Sequence, residues 1–124
     1  MGWTKRELVT QAFEELGLAA YVFDLTADQL DSALRRLDAM IGGWAANGVR
    51  IGYPLPGSPG ASDIAVDSGV PDYANEAIYQ NLAVRLAPAY GKLVSPELKA
   101  AARMAYGNLV NRTALPTIER QLPT

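Results

Sequence analysis

Residues Thr26 to Gly48 read TADQLDSALRRLDAMIGGWAANG, and this stretch decides the fold class. Thr26 precedes a run of helix formers, and Gln29 follows at the third helical position. That pairing is a capping box, in which each side chain satisfies a backbone N–H at the helix start. Leu25 and Leu30 occupy the flanking positions of a hydrophobic staple. Leu30, Leu34, Leu37, Ile41 and Trp44 then recur at helical spacing, with Ala33 and Met40 beside them. Asp31 and Arg35 stand one turn apart as a favourable exposed pair. Asn47-Gly48 supplies the stop. Gly42-Gly43 breaks the local rule, because two interior glycines cost about 2 kcal/mol relative to alanine. Either another backbone packs very close there or the helix bends, and close packing is the preferred reading.

The same grammar repeats upstream. Thr4 and Glu7 form a second capping box, with Trp3 and Leu8 as its staple. Leu8, Val9, Ala12, Phe13 and Leu16 share one face, and Gly17 ends the helix. Downstream the composition changes. Between Gly48 and Asp72 stand Pro54, Pro56, Pro59 and Pro71 with five glycines, which cannot sustain a helix. A connection this long is usually functional or disordered. Val49, Ile51, Tyr53, Leu55, Ile64 and Val66 are apolar residues scattered through it. Pieces around Val49–Tyr53 and Ile64–Val66 can pair as a hairpin or add to a neighbour's strand. Two readings stay open for these side chains: they cover the domain's own core, or the loop binds a partner.

A third helix starts near Asp72-Tyr73 and carries Ala74, Ile78, Leu82 and Leu86 at core spacing. Pro88 ends or kinks it near Ala87. Ser95-Pro96 opens a fourth helix, with Ser as cap and Pro in the first position. It runs to about Arg112, turning Leu98, Ala101, Ala102, Ala105 and Leu109 inward and leaving Lys99 and Arg103 as an outer basic ridge. From Thr113 on, Pro116 and Pro123 interrupt any helical period. An arm of that length reaches at most ~40 Å. It is either a frayed terminus or a docking arm, and in the docking reading Arg112, Leu115, Pro116, Ile118, Arg120 and Leu122 make contact with a partner. The expected fold is therefore all-α: a four-helix, bundle-like domain over residues 1–112, with a Gly/Pro-rich loop at 48–72 between helices two and three, and an extended C-terminal arm at 113–124.

Composition narrows the chemistry. A chain of 124 residues fits one domain and buries roughly two-thirds of its unfolded surface. There is no Cys and no His, which removes thiol nucleophiles, disulfides, imidazole bases and the usual zinc or iron sites. No phosphate-binding glycine loop is present, because Gly57 and Gly60 are not followed by Lys and Ser or Thr. A glycosidase needs only two carboxylates, but Glu14-Glu15 and the Asp28/Asp31 pair fall on polar helix faces and read as solvated charges. Tyr73, Tyr79, Tyr90 and Tyr106 are spaced as packing residues, and Trp44 closes a core stripe rather than a ligand cage. The Gly17–Leu25 connection is too long for a helix-turn-helix, and neither flanking helix has a basic reading face. The expectation is no catalytic residue, no cofactor and no metal. No apolar run spans a membrane, and the start lacks the apolar core of a signal peptide.

Net charge is −2, against a dedicated duplex-DNA binder. It is unevenly spread: −3 over Met1–Asn47, −2 over Gly48–Asp72 and +3 over Tyr73–Thr124. That reads as ordinary variation among solvated faces, or as an acidic front half that meets the basic back half of a neighbouring copy.

Three stretches add a resemblance. LVTQAFEELGL (Leu8–Leu18), LDAMIGGWAANGVRIGY (Leu37–Tyr53) and NLAVRLAPAYG (Asn81–Gly91) together resemble, in order and spacing, the head-to-tail adaptor of short-tailed phages, also called the tail accessory factor or packaged-DNA stabilisation protein. The second carries Leu37, Met40, Trp44, Gly48, Gly52 and Tyr53 in the family's pattern; the third carries Asn81, Leu82, Ala83, Arg85, Ala87, Pro88 and Tyr90. Members of that family continue well past the last helix, so no portal contact of the longer tail is carried over to this sequence. The resemblance implies a structural virion protein, not an enzyme. It would form a dodecameric ring on the portal after DNA packaging, extend the DNA channel, retain the DNA through non-specific contact and offer a platform for tail components. Assembly would take place in the host cytoplasm, with the protein ending at the head–tail junction and no membrane partner. The arm would meet the portal or a neighbour. Rival readings are a helical connector of the long-tailed phage type, a virion-associated peptidoglycan hydrolase, and a small regulatory helical protein.

Overall fold

The computed structural model describes residues 3–17, 26–55, 64–65 and 67–113. Four helices account for most of them: α1 (Lys5–Glu15), α2 (Ala27–Ala46), α3 (Asp72–Leu86) and α4 (Pro96–Thr113), with a 3-10 turn over Ala87–Tyr90. The fold is all-α, as the capping signals and periodicities predict.

Both capping boxes are closed. The Glu7 and Gln29 amides donate to Thr4 Oγ1 and Thr26 Oγ1 at 3.1 and 3.2 Å, and their side-chain oxygens accept from the two threonine amides at 2.9 Å. Gly17 and Gly48 take up the left-handed conformation (φ +75° and +91°) that ends α1 and α2. Pro88 leaves α3 to finish at Leu86 and forces the tighter turn that follows. Ser95 accepts the Leu98 amide at 3.1 Å and starts α4.

α3 is the central element. α4 packs along one flank of it and α1 along the other, while α2 packs on both α1 and α3. Helix directions follow from particular contacts. Trp3 stacks on Tyr79 with centroids 5.8 Å apart, and Phe13 meets Tyr90 edge-on at 5.1 Å, so α1 runs with α3. Arg112 covers Tyr73 and the Asn81 amide donates to Ala102 O at 3.0 Å, so α4 runs against α3. Asp38 lies beside Lys5 and Trp44 beside Tyr106, which ties the middle of α2 to the start of α1 and its last turn to α4. The result is a four-helix, bundle-like arrangement whose core includes Leu8, Phe13, Leu37, Ile41, Ile78, Leu82 and Leu86.

Four expectations need correction. The hairpin between Val49–Tyr53 and Ile64–Val66 is not formed among the described residues, and Val66 lies outside them. The returning piece bridges the N-terminus instead: Thr4 pairs with Asp67, the Ser68 amide donates to Trp3 O at 2.8 Å, and the Arg6 amide donates to Ile64 O at 2.9 Å. The Asp31–Arg35 pair is not closed, the one ion pair among the described residues being Lys5–Asp38. Tyr73 is about half exposed at 48% and is not a core side chain. Finally, Gly42-Gly43 does not interrupt α2, and no other backbone among the described residues packs against it. A Cβ on Gly43 would meet nothing within 4 Å, and one on Gly42 only the tip of Leu55 at 3.8 Å. The staple partner Leu25 and the arm beyond Thr113 lie outside the described residues.

With that space open, Gly43→Ala is expected to stabilise the isolated chain by about 0.5–1 kcal/mol in a urea titration, through lower backbone entropy of the unfolded state. Destabilisation would mean that the glycine is required inside the monomer.

Candidate functional site

The polar centre of the molecule sits where the loop leaves the bundle. Lys5 opens α1 and Asp38 lies midway along α2, and both are buried. Their side chains meet at 3.3 Å. Tyr53, also buried, donates its hydroxyl to the same Asp38 oxygen and places its ring 4.5 Å below the Lys5 ammonium. Lys5 also donates to the Pro54 carbonyl at 3.0 Å. A buried ion pair is tolerable only when further hydrogen bonds satisfy it, and here the loop itself supplies them.

Each member has a reason to be in place. The capping box at Thr4 fixes the first turn of α1 and so aims Lys5. Asp38 follows Leu34 by four residues and precedes Ile41 by three, which puts a carboxylate on the apolar stripe of α2. Gly52 reaches φ +80° to turn Tyr53 inward, and Gly69 crosses it so closely that a Cβ there would lie 2.9 Å from Gly52 O. Both stems of the loop are therefore fastened to the start of α1, the outgoing one by Lys5 and the returning one by the Trp3–Ser68 and Arg6–Ile64 hydrogen bonds.

This trio is a latch and a poor reaction centre. Burial first, then the hydrogen bond and charge of Asp38, push the Tyr53 hydroxyl well above the usual tyrosine range and keep it protonated.

The loop residues proposed as contacts divide accordingly. Val49, Ile51 and Tyr53 alternate inward and belong to this chain's own core. Ile64 is partly buried against that core, and Leu55 stays 46% exposed. Of the arm residues, Arg112 is exposed with its guanidinium 4.4 Å above the Tyr73 ring. Leu115, Pro116, Ile118, Arg120 and Leu122 lie outside the described residues. Lys99 and Arg103 are both exposed on α4. Tyr73, Glu76, Asn108 and Arg112 line a groove where α3 begins and α4 ends. Trp44 is buried against Tyr106, and Phe13 covers Tyr90, so these rings serve packing. Lys5 and Asp38 went unassigned by periodicity, although an acid inside the Leu34–Ile41 stripe is a readable sign of a buried partner. Among the described residues no group of three or more acidic side chains is arranged to hold a metal, and no helix is long and apolar enough to cross a membrane.

Removing one partner of the latch strands the other charge, so Asp38→Ala or Lys5→Ala should cost about 3–5 kcal/mol. Tyr53→Phe should cost about 1–3 kcal/mol, since one acceptor position on Asp38 loses its donor. The pH signature follows from the sign of the Tyr53 shift. Its stabilising contribution is complete below the unfolded tyrosine pKa of about 10 and is lost as pH rises towards the higher folded value. Wild type should lose stability above pH ~10 with a tyrosine contribution of up to about 1.4 kcal/mol per pH unit, a component that Tyr53→Phe removes. Equal alkaline slopes for the two proteins in urea titrations would contradict the latch.

The sequence pattern that resembles a phage adaptor is thus carried by residues with clear structural duties: Trp44 and Tyr53 in the core, Gly48 and Gly52 at turns, Pro88 at the end of α3. A model of the P22 tail accessory factor family matches residues 1–123, nearly the whole sequence, including the loop and the arm. The chain belongs to the P22 tail accessory factor family, a group of structural proteins of short-tailed phage virions.

Proposed function

We propose that this chain is a head-to-tail adaptor, which binds the portal ring once DNA is packaged, lengthens the DNA channel, helps to hold the DNA inside and provides the platform for the next tail component. The observation that carries this reading is the family match over residues 1–123, which covers the helices, the loop and the arm together. The physical character of the chain agrees with it. The helical body is closed around one core, and its buried ionisable groups are engaged in the latch rather than presented to a substrate. Its role is structural, not enzymatic.

A portal ring supplies the template for a ring of copies, since neighbours held side by side meet at high effective concentration. Adaptor copies would form a dodecamer there, at the head–tail junction of a virion assembled in the host cytoplasm. The arm, from Arg112 through Leu115, Pro116, Ile118, Arg120 and Leu122, would dock on the portal. Leu55, at the exposed end of the outgoing stem, would face a neighbour or the tail. Contact with packaged DNA would be non-specific, in keeping with a net charge of −2.

Two assays test this. Packaged heads made without the protein should leak DNA, and added protein should raise the DNase-protected fraction in proportion to occupancy of the portal. A chain ending at Thr113 should fold normally by circular dichroism yet lose portal binding by at least about tenfold, the loss of ~1.4 kcal/mol or more of contact energy. Undiminished DNA retention without the protein, or normal binding without the arm, would overturn the corresponding half.

A further inference from the structure

Tyr73 and Arg112 meet where α3 begins and α4 ends. The Arg112 guanidinium lies 4.4 Å above the centre of the Tyr73 ring, a cation–π contact between two exposed side chains. Tyr73 is about half exposed, so core packing does not account for a large aromatic at this position. One turn further in, Ala77 on α3 and Leu109 on α4 are buried and line the same groove. Charge pairing does not account for Arg112 either. Among the described residues no carboxylate comes within ion-pair distance of it, although Glu76 lines that groove.

The two helix ends that meet here need fastening. α3 starts from Pro71, and no side chain caps its first amides. The last turn of any α-helix leaves carbonyls without partners inside the helix, and such turns open readily. Arg112 stands in the last turn of α4, and Thr113 closes that helix where the arm begins. A last turn that opened would hand its residues to the arm and shift the arm's origin. Docking would then have to order the turn again, at a cost in affinity.

We infer that Tyr73 is a positioning residue for the arm: its ring holds Arg112, keeps the last turn of α4 wound and so fixes the root from which the arm reaches the portal. The inference rests on the docking reading of the arm, and it changes the part Arg112 plays there. Arg112 serves docking through Tyr73 and is not itself a portal contact. The effect is modest, because an exposed cation–π pair shifts an equilibrium by about two- to fivefold.

Full-length variants separate these roles. Tyr73→Leu keeps an apolar side chain but removes the π face, and should weaken binding to cognate portal rings by about two- to fivefold. Tyr73→Phe keeps the face and should bind as wild type does. Arg112→Gln should lose as much as Tyr73→Leu, and the double variant no more than either, because both changes break one contact. Glu76→Gln and Asn108→Ala, which line the groove outside the pair, should bind normally. In hydrogen exchange on the free chain, the amides of the last turn of α4 should open about two- to fivefold more often in Tyr73→Leu but not in Tyr73→Phe, with the middle of α3 unchanged. Losses that add in the double variant, or a loss with Arg112→Gln alone, would make Arg112 a portal contact and overturn the inference. So would a loss with Glu76→Gln or Asn108→Ala, which would seat the portal in the groove itself. Equal binding and exchange in the Leu and Phe variants would also overturn it. If the wild-type chain fails to bind portal, the adaptor reading falls, while the exchange comparison still decides whether the ring holds the turn.

Discussion

The buried contact of Lys5, Asp38 and Tyr53 holds together parts of the chain that are far apart in sequence. An ammonium and a carboxylate in an apolar core need hydrogen bonds, and those come from the Tyr53 hydroxyl and the Pro54 carbonyl. The first turn of α1, the middle of α2 and the outgoing stem of the loop must therefore be in register together. The crossing of Gly52 and Gly69, and the bridge from Thr4 to Asp67, then fix the returning stem against the same place. A connection rich in glycine and proline would otherwise be free to wander. Here its two ends are part of the domain.

This has a consequence for how the molecule presents itself to partners. Val49, Ile51 and Tyr53 complete the core, so the apolar residues that first suggest a sticky loop are spent inside the monomer. Among the described residues, few large apolar side chains stay outside: Leu55 beyond the latch, Tyr73 under Arg112 at the end of α4, and Leu93 and Met104. A protein that must stay single until a template gathers it benefits from such economy, because large exposed apolar patches promote association at once.

The legible parts of this fold are those governed by local rules. Thr4 with Glu7, Thr26 with Gln29, and Ser95 with Pro96 mark helix starts because the capping geometry is written within four residues. The stripes of α1, α2 and α3 are equally local, and their expected core residues are buried except Leu16 and Leu30, which are partly buried. The latch was not legible in the same way. Lys5 and Asp38 are 33 residues apart in sequence, and periodicity assigns charged residues to solvent unless a partner is known. The pairing of the loop with Trp3, Thr4 and Arg6 is also non-local, which is why the hairpin suggested by neighbouring apolar runs was the wrong choice. Gly42-Gly43 shows the reverse limit. The sequence marks a helix cost, yet the described residues leave the space around Gly43 open and supply no packing reason for it. For the site, the exposed positions of Lys99, Arg103 and Arg112 followed from helical phase, whereas membership of the family came from ordered matches along the chain rather than from any single chemical motif.

The central claim is that this helical body acts by seating on a portal and lining up with its own copies. The most direct measurement is the native mass of cognate portal rings mixed with excess full-length chain. The account predicts one discrete species whose added mass corresponds to one chain per portal subunit, with no such species formed by the chain alone at the same concentration. A portal mass unchanged by excess chain, or a broad series of substoichiometric additions at saturation, would contradict it.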